Sequence, residues 1–293
     1  MDVWCLGGLR FLPGATRNLC YHFRYTQGMV FDESQHPRGG DPHNRGRFSA
    51  RPYNEAVGIE LAPAFGELHA DLLEVLEQAA ELQKLVPDTV LVGGSASALY
   101  AAHRASYDHD HVISDLRDRF DSVLDALERE GKWVTNRAVP GKLILGQIGD
   151  IEAGVRQLIR KRPLEVTEVE LPSGAMLRVP TRSETLRIKG FLVVKRNQTR
   201  DYLDVAALAD RYGIDHASAT LMAIDDYYTD PGVPGTPVRD QLVRQLLLPS
   251  PRDHRVTSRL SEYKGLNVRW QQWGAVVDVL GQIGANMELR RWS

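Results

Sequence analysis

One segment of the chain, TVLVGGSASALYAAHRASYDHDHVI (residues 89–113), limits the possible folds more than any other. Its β-branched run TVLV predicts a short buried strand, and Gly93 and Gly94 predict a turn into a helix that extends from Ser95 to about residue 103. The alternating aspartates and histidines predict a second strand over residues 107–113. A strand, a turn, a helix and a second strand in this order indicate a mixed α/β fold.

Asp108 and Asp110 are the candidate metal ligands of this segment. Successive side chains of a strand point to opposite faces, so the two aspartates project together while His109 and His111 face the other way. Adjacent carboxylates repel each other unless a cation is present, and Mg²⁺ prefers oxygen ligands and leaves positions open for phosphate oxygens. The pair therefore indicates a phosphate reaction in which two ions stabilise the attacking and leaving oxygens.

Gly93, Gly94 and Ser95 are expected to complete this site. Glycines after a strand let backbone amides approach a ligand closely, and the N-terminus of the following helix attracts phosphate. Ser95 is expected to cap the helix and to donate a hydrogen bond to a phosphate oxygen. The segment thus predicts a phosphate cradle beside two metal-binding carboxylates.

The order of these residues resembles the signature of the DNA polymerase β-type nucleotidyltransferase superfamily. The string GGSASALYAAHRASYDHD, with Arg104 and Ser106 before the aspartates, is similar to the AbiEii/AbiGii toxin family within it. A second block, LRIKGFLVVKRNQTRDYLDVAAL, agrees with that family's pattern of a helix lysine, a downstream arginine and Arg-Asp-x-x-Asp. These positions are here Lys189, Arg196, Arg200, Asp201 and Asp204.

The resemblance implies an NTP-dependent nucleotidyltransferase toxin of a toxin–antitoxin pair, with Mg²⁺ or Mn²⁺ as cofactor and a cognate antitoxin as partner. The implied acceptor is RNA, first of all the tRNA 3′ end. A third metal carboxylate is implied on a later strand, and we assign it to Glu152, with Asp150 as the alternative. The implied catalytic residues are Asp108, Asp110, Glu152, Lys189 and Asp201, and the implied nucleotide-binding residues are Gly93, Gly94, Ser95, Arg104, Ser106, Lys189 and Arg200.

Residues 155–200 carry eleven positive and four negative charges in a chain whose net charge is −2. Such clustering indicates a phosphate-rich partner, either RNA or the triphosphate. Lys189 is expected to act as a point charge on the nucleotide phosphates. Asp201 and Asp204 share one helical face, from which they would orient Lys189 or Arg200 or handle a proton of the acceptor, although helix ion pairs explain Asp204 equally well.

Other function classes fit the residues less well. A protein hydroxyl or an aminoglycoside as acceptor would keep the same chemistry, but an aminoglycoside calls for an acidic pocket and residues 155–200 are basic. A zinc or di-metal hydrolase is a further alternative, yet the H-x-H-x-D-H zinc pattern fails because Val112 and Ile113 follow His111. A metal-dependent phosphohydrolase of the HD type would carry its His-Asp pair on a helix, whereas His109 and Asp110 precede the strand-like Val112 and Ile113. A binding module without catalysis is disfavoured because the glycines, both aspartates and the lysine are present.

The rest of the chain predicts an α/β (α+β) protein, a small mixed-sheet core followed by a helical C-terminal part. We expect a flexible N-terminal segment (1–55), a nucleotidyltransferase domain (56–180) and a helical domain (181–293). Met29 in the first segment is an alternative start, and the helical domain is expected to complete the nucleotide and acceptor site. The predicted elements are a helix over 66–85, a helix over 115–130, strands in KWVTNRAV, KLILGQI and DIEAGVRQLI, a hairpin over 165–180 that turns at Ser173 and Gly174, and helices over 182–195, 199–212, 216–228, 237–248 and 270–283.

A cytoplasmic protein without membrane contact is expected. No stretch approaches the roughly 20 apolar residues that span a bilayer, and the first residues lack the features of a secretory signal. The two cysteines, Cys5 and Cys20, can build neither a disulfide framework nor a cysteine-based zinc site.

Ser106 is a candidate control point, because a phosphate two residues before Asp108 would add negative charge beside the two aspartates.

Overall fold

The computed structural model describes residues 65–129, 131–160, 162–230, 232 and 235–291. The predicted flexible segment 1–55 lies outside the described residues, together with both cysteines, Met29 and, within the basic stretch, Lys161. Order was expected from about residue 66, and the first regular helix begins at Ala70. The elements of the first half are α1 (Ala70–Leu85), β1 (Val90–Val92), α2 (Gly93–Ala101), β2 (Asp108–Ile113), α3 (Leu116–Glu128), β3 (Trp133–Val139), β4 (Leu143–Ile148), β5 (Ile151–Gln157), β6 (Val166–Glu170) and β7 (Met176–Pro180).

Strands β1 to β5 form one mixed sheet in the order β1–β2–β5–β4–β3. The β2–β5 pair is parallel, and the other neighbouring pairs in this sheet are antiparallel. Strands β6 and β7 form a separate hairpin, and Gly174 in its turn has a φ of 84°, a conformation that glycine adopts without strain. The predicted mixed α/β core is confirmed, as is the turn at Ser173 and Gly174.

The two faces of β2 differ as the alternation predicts. His109, His111 and Ile113 are buried, whereas Asp108 is exposed and Asp110 is half-buried. His109 Nδ1 and His111 Nε2 lie 3.0 Å apart, so the two rings share a hydrogen bond inside the protein. The aspartates therefore occupy the open face of the sheet, and the histidines belong to its packed face.

Burial of this histidine pair predicts a loss of stability in mild acid. Desolvation lowers the pKa of His109 to about 4 and the pKa of His111 well below its usual value. Between about pH 6.5 and pH 4 the unfolded chain therefore binds more protons than the folded chain, and the free energy of unfolding falls as the pH falls through this window. For His109 alone the shift corresponds to about 3 kcal/mol.

Urea unfolding at about pH 7.5 and about pH 5 measures this effect. We expect a lower free energy of unfolding at the lower pH, and a smaller difference between the two pH values in the variant His109→Gln, which lacks one titrating group. Equal pH dependence in the variant and the wild-type protein would show that another group causes the loss.

The second half is helical, as predicted. Its elements are α4 (Arg182–Arg196), α5 (Thr199–Tyr212), α6 (Ile214–Met222), α7 (Val238–Leu247) and α8 (Trp273–Arg290), with 3₁₀ segments at Ile224–Asp226, His254–Glu262 and Val268–Gln271. The helix predicted over 216–228 is shorter than expected because α6 ends at Met222, whereas α8 extends seven residues beyond its predicted end at 283. No helix in the described part of the chain combines the length and the apolar character needed to cross a membrane.

One hydrophobic core joins the two halves. Leu76 of α1 and Leu99 of α2 belong to the same buried cluster as Val193 of α4, Leu203 of α5 and Ile283 of α8. The predicted domain boundary at residues 180 and 181 therefore lies within continuous packing. A second buried cluster lies between α3 and the far side of the sheet and includes Leu127, Trp133 and Ile144.

Candidate active site

Three carboxylates project from one face of the parallel β2–β5 pair. In this ladder Asp108 is the partner of Glu152, and Asp110 is the partner of Gly154. Paired residues in a parallel ladder direct their side chains to the same face, so Glu152 joins the two aspartates there. Asp150 precedes β5 in a turn and takes no part in the ladder. The register therefore favours Glu152 as the third carboxylate.

The two glycines after β1 lie against this face, as the sequence predicts. A Cβ atom at Gly93, whose φ is 81°, would lie 3.4 Å from Oδ2 of Asp110. A Cβ atom at Gly94 would lie 2.7 Å from Nη2 of Arg104 and 2.9 Å from Oγ of Ser106, which is closer than packing allows. Glycine is thus required at Gly94 so that the backbone at the start of α2 can approach the Arg104 side chain.

Ser95 has a different role from the predicted one. Helix α2 begins directly at Gly93, and its N-cap residue, Val92, makes no capping hydrogen bond through its side chain. Ser95 therefore lies in the first turn, where it is buried and donates a 2.5 Å hydrogen bond to the backbone carbonyl of Asp108. The prediction that Ser95 caps the helix is wrong, because the N-cap position is occupied by Val92, the last residue of β1. Ser95 instead ties the helix to β2.

Each aspartate has a polar neighbour. Ser106 Oγ donates to Asp108 Oδ1 at 3.1 Å, and Arg156 Nε lies 3.2 Å from Asp110 Oδ1. Arg156 follows Gly154 by two residues on β5, so strand alternation brings its guanidinium to the carboxylate face. In the sequence Arg156 is recognisable only as part of a basic stretch, although this alternation, together with the β2–β5 register, identifies it as the partner of Asp110.

The donor chemistry of this face fits a hard divalent cation. Within the described ranges, no group of three or more His, Cys, Asp or Glu side chains is close enough together to form a ready-made metal site. Asp108, Asp110 and Glu152 nevertheless offer carboxylate oxygens from a single face, which is the ligand type that Mg²⁺ prefers, and Mg²⁺ takes further ligands from phosphate and water.

Asp204 is the centre of a buried ion cluster next to this face. Its Oδ1 lies 2.7 Å from His103 Nε2 and 2.9 Å from Arg104 Nε, and its Oδ2 lies 2.7 Å from Lys189 Nζ and 3.2 Å from Arg104 Nη2. Burial alone would raise the pKa of Asp204, but Arg104, Lys189 and His103 hold it well below its usual range. Asp204 is therefore ionised and fixes the guanidinium that covers Gly94.

Lys189 is not exposed to solvent. Its side chain is 3% exposed and bonded to Asp204, and burial lowers its pKa. The role of Lys189 as a point charge on the nucleotide phosphates stays a prediction; in this structure α4 packs its side chain into the core, where it contacts Asp204. The interpretation that Asp204 orients Lys189 agrees with the 2.7 Å contact.

The other residues of the second block differ in accessibility. Asp201 is fully buried, and its Oδ1 accepts a 2.6 Å hydrogen bond from Arg196, whereas its Oδ2 has no partner among the described residues. Arg200 is exposed at the start of α5, where its Nε donates to Gln198. Of the predicted site residues in this block, Arg200 is therefore the one that a ligand reaches directly.

Part of the basic stretch is internal. Arg160 and Arg187, with 1% and 7% of their side chains exposed, both bond to the buried carboxylate of Glu184. Arg187 also pairs with Glu165, and Tyr227 lies under both guanidinium groups. The prediction that residues 155–200 present their cations to a phosphate-rich partner is wrong for these two arginines, since internal carboxylates neutralise them.

No protein-family model matches this sequence. The heme uptake protein MmpL11 of Mycobacterium tuberculosis is 32% identical over 208 residues, an alignment that covers 63% of this chain and 20% of that protein. This chain thus spans about a fifth of the length of the curated relatives that it matches.

Solved structures with a similar arrangement of elements include JHP933 from Helicobacter pylori, with a TM-score of 0.44, 18% identity and coverage of 77% of this chain and 97% of that one. MenT4, a nucleotidyltransferase toxin from Mycobacterium tuberculosis, has a TM-score of 0.42, 17% identity and coverage of 78% and 90%.

Proposed function

We propose that this protein is a nucleotidyltransferase that transfers a nucleotide from an NTP to RNA, with the tRNA 3′ end as the first acceptor to test. The observation that carries the proposal is the position of Asp108, Asp110 and Glu152 on one sheet face, next to the glycines that begin α2. Carboxylates for a cation and a helix N-terminus for phosphate are the two elements that a reaction of a triphosphate requires.

The proposed cofactor is Mg²⁺, with Mn²⁺ as the alternative, held by Asp108, Asp110 and Glu152. When bound, such an ion neutralises the charge that develops on the phosphate oxygens. In the proposed reaction a terminal hydroxyl of the RNA attacks the α-phosphate of the NTP and its proton passes to solvent. A phosphodiester bond forms, the bond between the α-phosphorus and the α,β-bridging oxygen breaks, and pyrophosphate leaves with that oxygen.

The chain's own residues would bind and orient the triphosphate. We assign the phosphates to the backbone amides at Gly93 and Gly94 and to the guanidinium of Arg104, which Asp204 holds over Gly94. Lys189 acts in this proposal as a positioning residue, because it supports Asp204 from inside the protein. Asp201 likewise positions Arg196, since its carboxylate is buried and bonded to that residue.

The proposal is tested by incubating the purified protein with tRNA, Mg²⁺ and each of the four NTPs labelled at the α-phosphate. We expect label in RNA on a denaturing gel with at least one NTP, and none when EDTA is added. Label that appears in protein instead would favour the alternative acceptor, a protein hydroxyl. Absence of transfer to both RNA and protein would contradict the proposed reaction.

Gly94→Ala is expected to weaken NTP binding by roughly 10-fold or more, because the new methyl group would displace the Arg104 guanidinium, and a hydrogen bond to a charged group contributes about 1.5–3 kcal/mol. Calorimetric titration with NTP measures the change. Gly281→Ala, in α8 with nothing within 4 Å of the added Cβ, is the matched control, and it should bind NTP normally and stabilise the helix slightly. Unchanged NTP affinity in Gly94→Ala would show that Arg104 does not bind the phosphates.

We also propose that the protein is the toxin of an AbiEii-type toxin–antitoxin pair that acts in the cytoplasm, where NTPs and tRNA occur together. Expression of the wild-type protein should then arrest growth, and a cognate antitoxin should relieve the arrest.

We propose phosphorylation of Ser106 as the mechanism that regulates this activity. Because Ser106 is 3% exposed, a kinase would reach it only when the loop before β2 opens. Full transfer activity in Ser106→Glu would exclude this mechanism.

A further inference from the structure

The connection between α7 and α8 contacts the surroundings of the candidate active site near both of its ends. At its start, the backbone amide of Arg252 donates to the carbonyl of Asn197, and the Asp253 carboxylate accepts hydrogen bonds from the backbone and hydroxyl of Thr199. At its end, the amide of Asn267 donates to the carbonyl of His103. Residues 252–267 therefore connect the loop before α5 to the loop before β2.

The last part of this connection lies directly beside the residues that precede Asp108. A Cβ atom at Gly265 would lie 2.7 Å from Cβ of Ala105, so the two backbones are in close contact. Lys264 Nζ lies 4.9 Å from the centre of the Tyr107 ring. Gly265, Leu266 and Asn267 line one cavity together with Arg104, so this end of the connection lies beside the arginine that covers Gly94.

Exposed cations along this surface lack acidic partners. Among the described residues, no carboxylate forms an ion pair with Arg200, Arg252, Arg255 or Lys264, and all four side chains are exposed. Several other exposed arginines of the helical half, among them Arg211 and Arg269, do have such partners, whereas Arg244 of α7 forms no ion pair among the described residues. Arg259 in the same connection pairs with Glu262 through two nitrogens. Arg252 and Arg255 lie near the start of the connection, which is bonded to Thr199 beside Arg200, and Lys264 lies near its end, next to Tyr107.

We propose that the surface formed by Arg200, Arg252, Arg255 and Lys264 binds the phosphate backbone of a single-stranded RNA end and directs that end to Asp108. This inference rests on the proposed function and assigns the acceptor side of the same site. Unpaired cations that follow one edge of a site are suited to a chain of phosphates, whereas an isolated triphosphate is bound by the residues around Gly94. A single-stranded RNA end presents a free terminal hydroxyl to the exposed carboxylate of Asp108.

The salt dependence of RNA binding tests the surface without requiring catalysis. A 12-nucleotide single-stranded RNA with a 5′ fluorescent label is titrated with the protein, without NTP, between about 50 and 300 mM KCl. For single strands, each phosphate contact contributes about −0.7 to the slope of log K against log salt. The double variant Arg252→Gln/Arg255→Gln should therefore have a slope smaller by about 1.4 and bind roughly 20-fold more weakly at about 0.1 M salt. Lys264→Gln should reduce the slope by about 0.7.

Arg259→Gln/Glu262→Gln is the matched control, because it removes a neutralised pair from the middle of the same connection. It should leave both the slope and the affinity unchanged. Wild-type slopes in the Arg252→Gln/Arg255→Gln and Lys264→Gln variants would overturn the proposed surface. If those slopes fall but no nucleotide is transferred to RNA, the RNA surface is retained and the proposed reaction is wrong. If transfer occurs but the slopes are unchanged, the reaction is retained and the surface is wrong.

Discussion

Replacing Asp108 with asparagine is expected to abolish nucleotide transfer without loss of folding stability. The carboxylate is exposed on the open face of β2, paired with Glu152 across the ladder, and its removal opens no cavity in the core. A cation held there contributes several kcal/mol to stabilising the transition state, so the rate should fall on the order of 10³-fold. Transfer of labelled nucleotide to RNA measures the activity, and urea unfolding measures the stability.

Asp150→Asn is the matched control for this prediction, because Asp150 lies near the same sheet edge but outside the β2–β5 ladder. It should retain most of the activity, whereas Glu152→Gln should lose activity as Asp108→Asn does. If Asp150 is required for activity and Glu152 is not, the third metal ligand is Asp150 in the turn before β5. Nucleotide transfer by Asp108→Asn at a near wild-type rate would exclude the metal-dependent mechanism.

Asp204→Asn is expected to have the largest effect on stability. The substitution leaves Arg104 and Lys189 without their shared carboxylate in a region that water does not reach. Breaking a buried ion pair by removal of one partner costs about 3–5 kcal/mol, which is a large fraction of the stability of an ordinary domain. Urea unfolding at neutral pH measures the loss, and nucleotide transfer should fall as well because Arg104 is no longer fixed.

Asp210→Asn on the same helix provides the comparison. Asp210 pairs with Arg269, but both side chains are accessible, and exposed pairs contribute only about 0–1 kcal/mol. A loss of stability in Asp204→Asn that is no larger than the loss in Asp210→Asn would contradict the central role of the buried cluster.

The part of the site that could be predicted from sequence is the part fixed by short-range rules. Strand alternation places Asp108 and Asp110 together, and glycines after a strand place the start of a helix near them. The parallel pairing with β5 then brings in Glu152, which the family resemblance suggested and which local pattern alone does not distinguish from Asp150.

The remaining features depend on contacts between residues far apart in the chain. Nothing in the sequence around Lys189 shows that α4 is packed under Arg104, and the charge count could not separate buried ion pairs from exposed cations. The 3₁₀ segment at His254–Glu262 is likewise not predictable, because it lacks the apolar repeat of an α-helix and lies between two residues, Arg252 and Asn267, that bond to the motif blocks.

The core shared by α1, α2, α4, α5 and α8 has a consequence for how such a protein can change during evolution. A fragment that ends at residue 180 would expose the apolar side of α2 to water, and a fragment that begins at residue 181 would expose that of α5, so neither half is an interchangeable module. A recombinant that joins one half to a foreign second half at this point would need complementary core side chains on both sides of the junction. New acceptor preferences are therefore expected to arise by point substitution in the surface connections, while the joined interior is inherited as one unit.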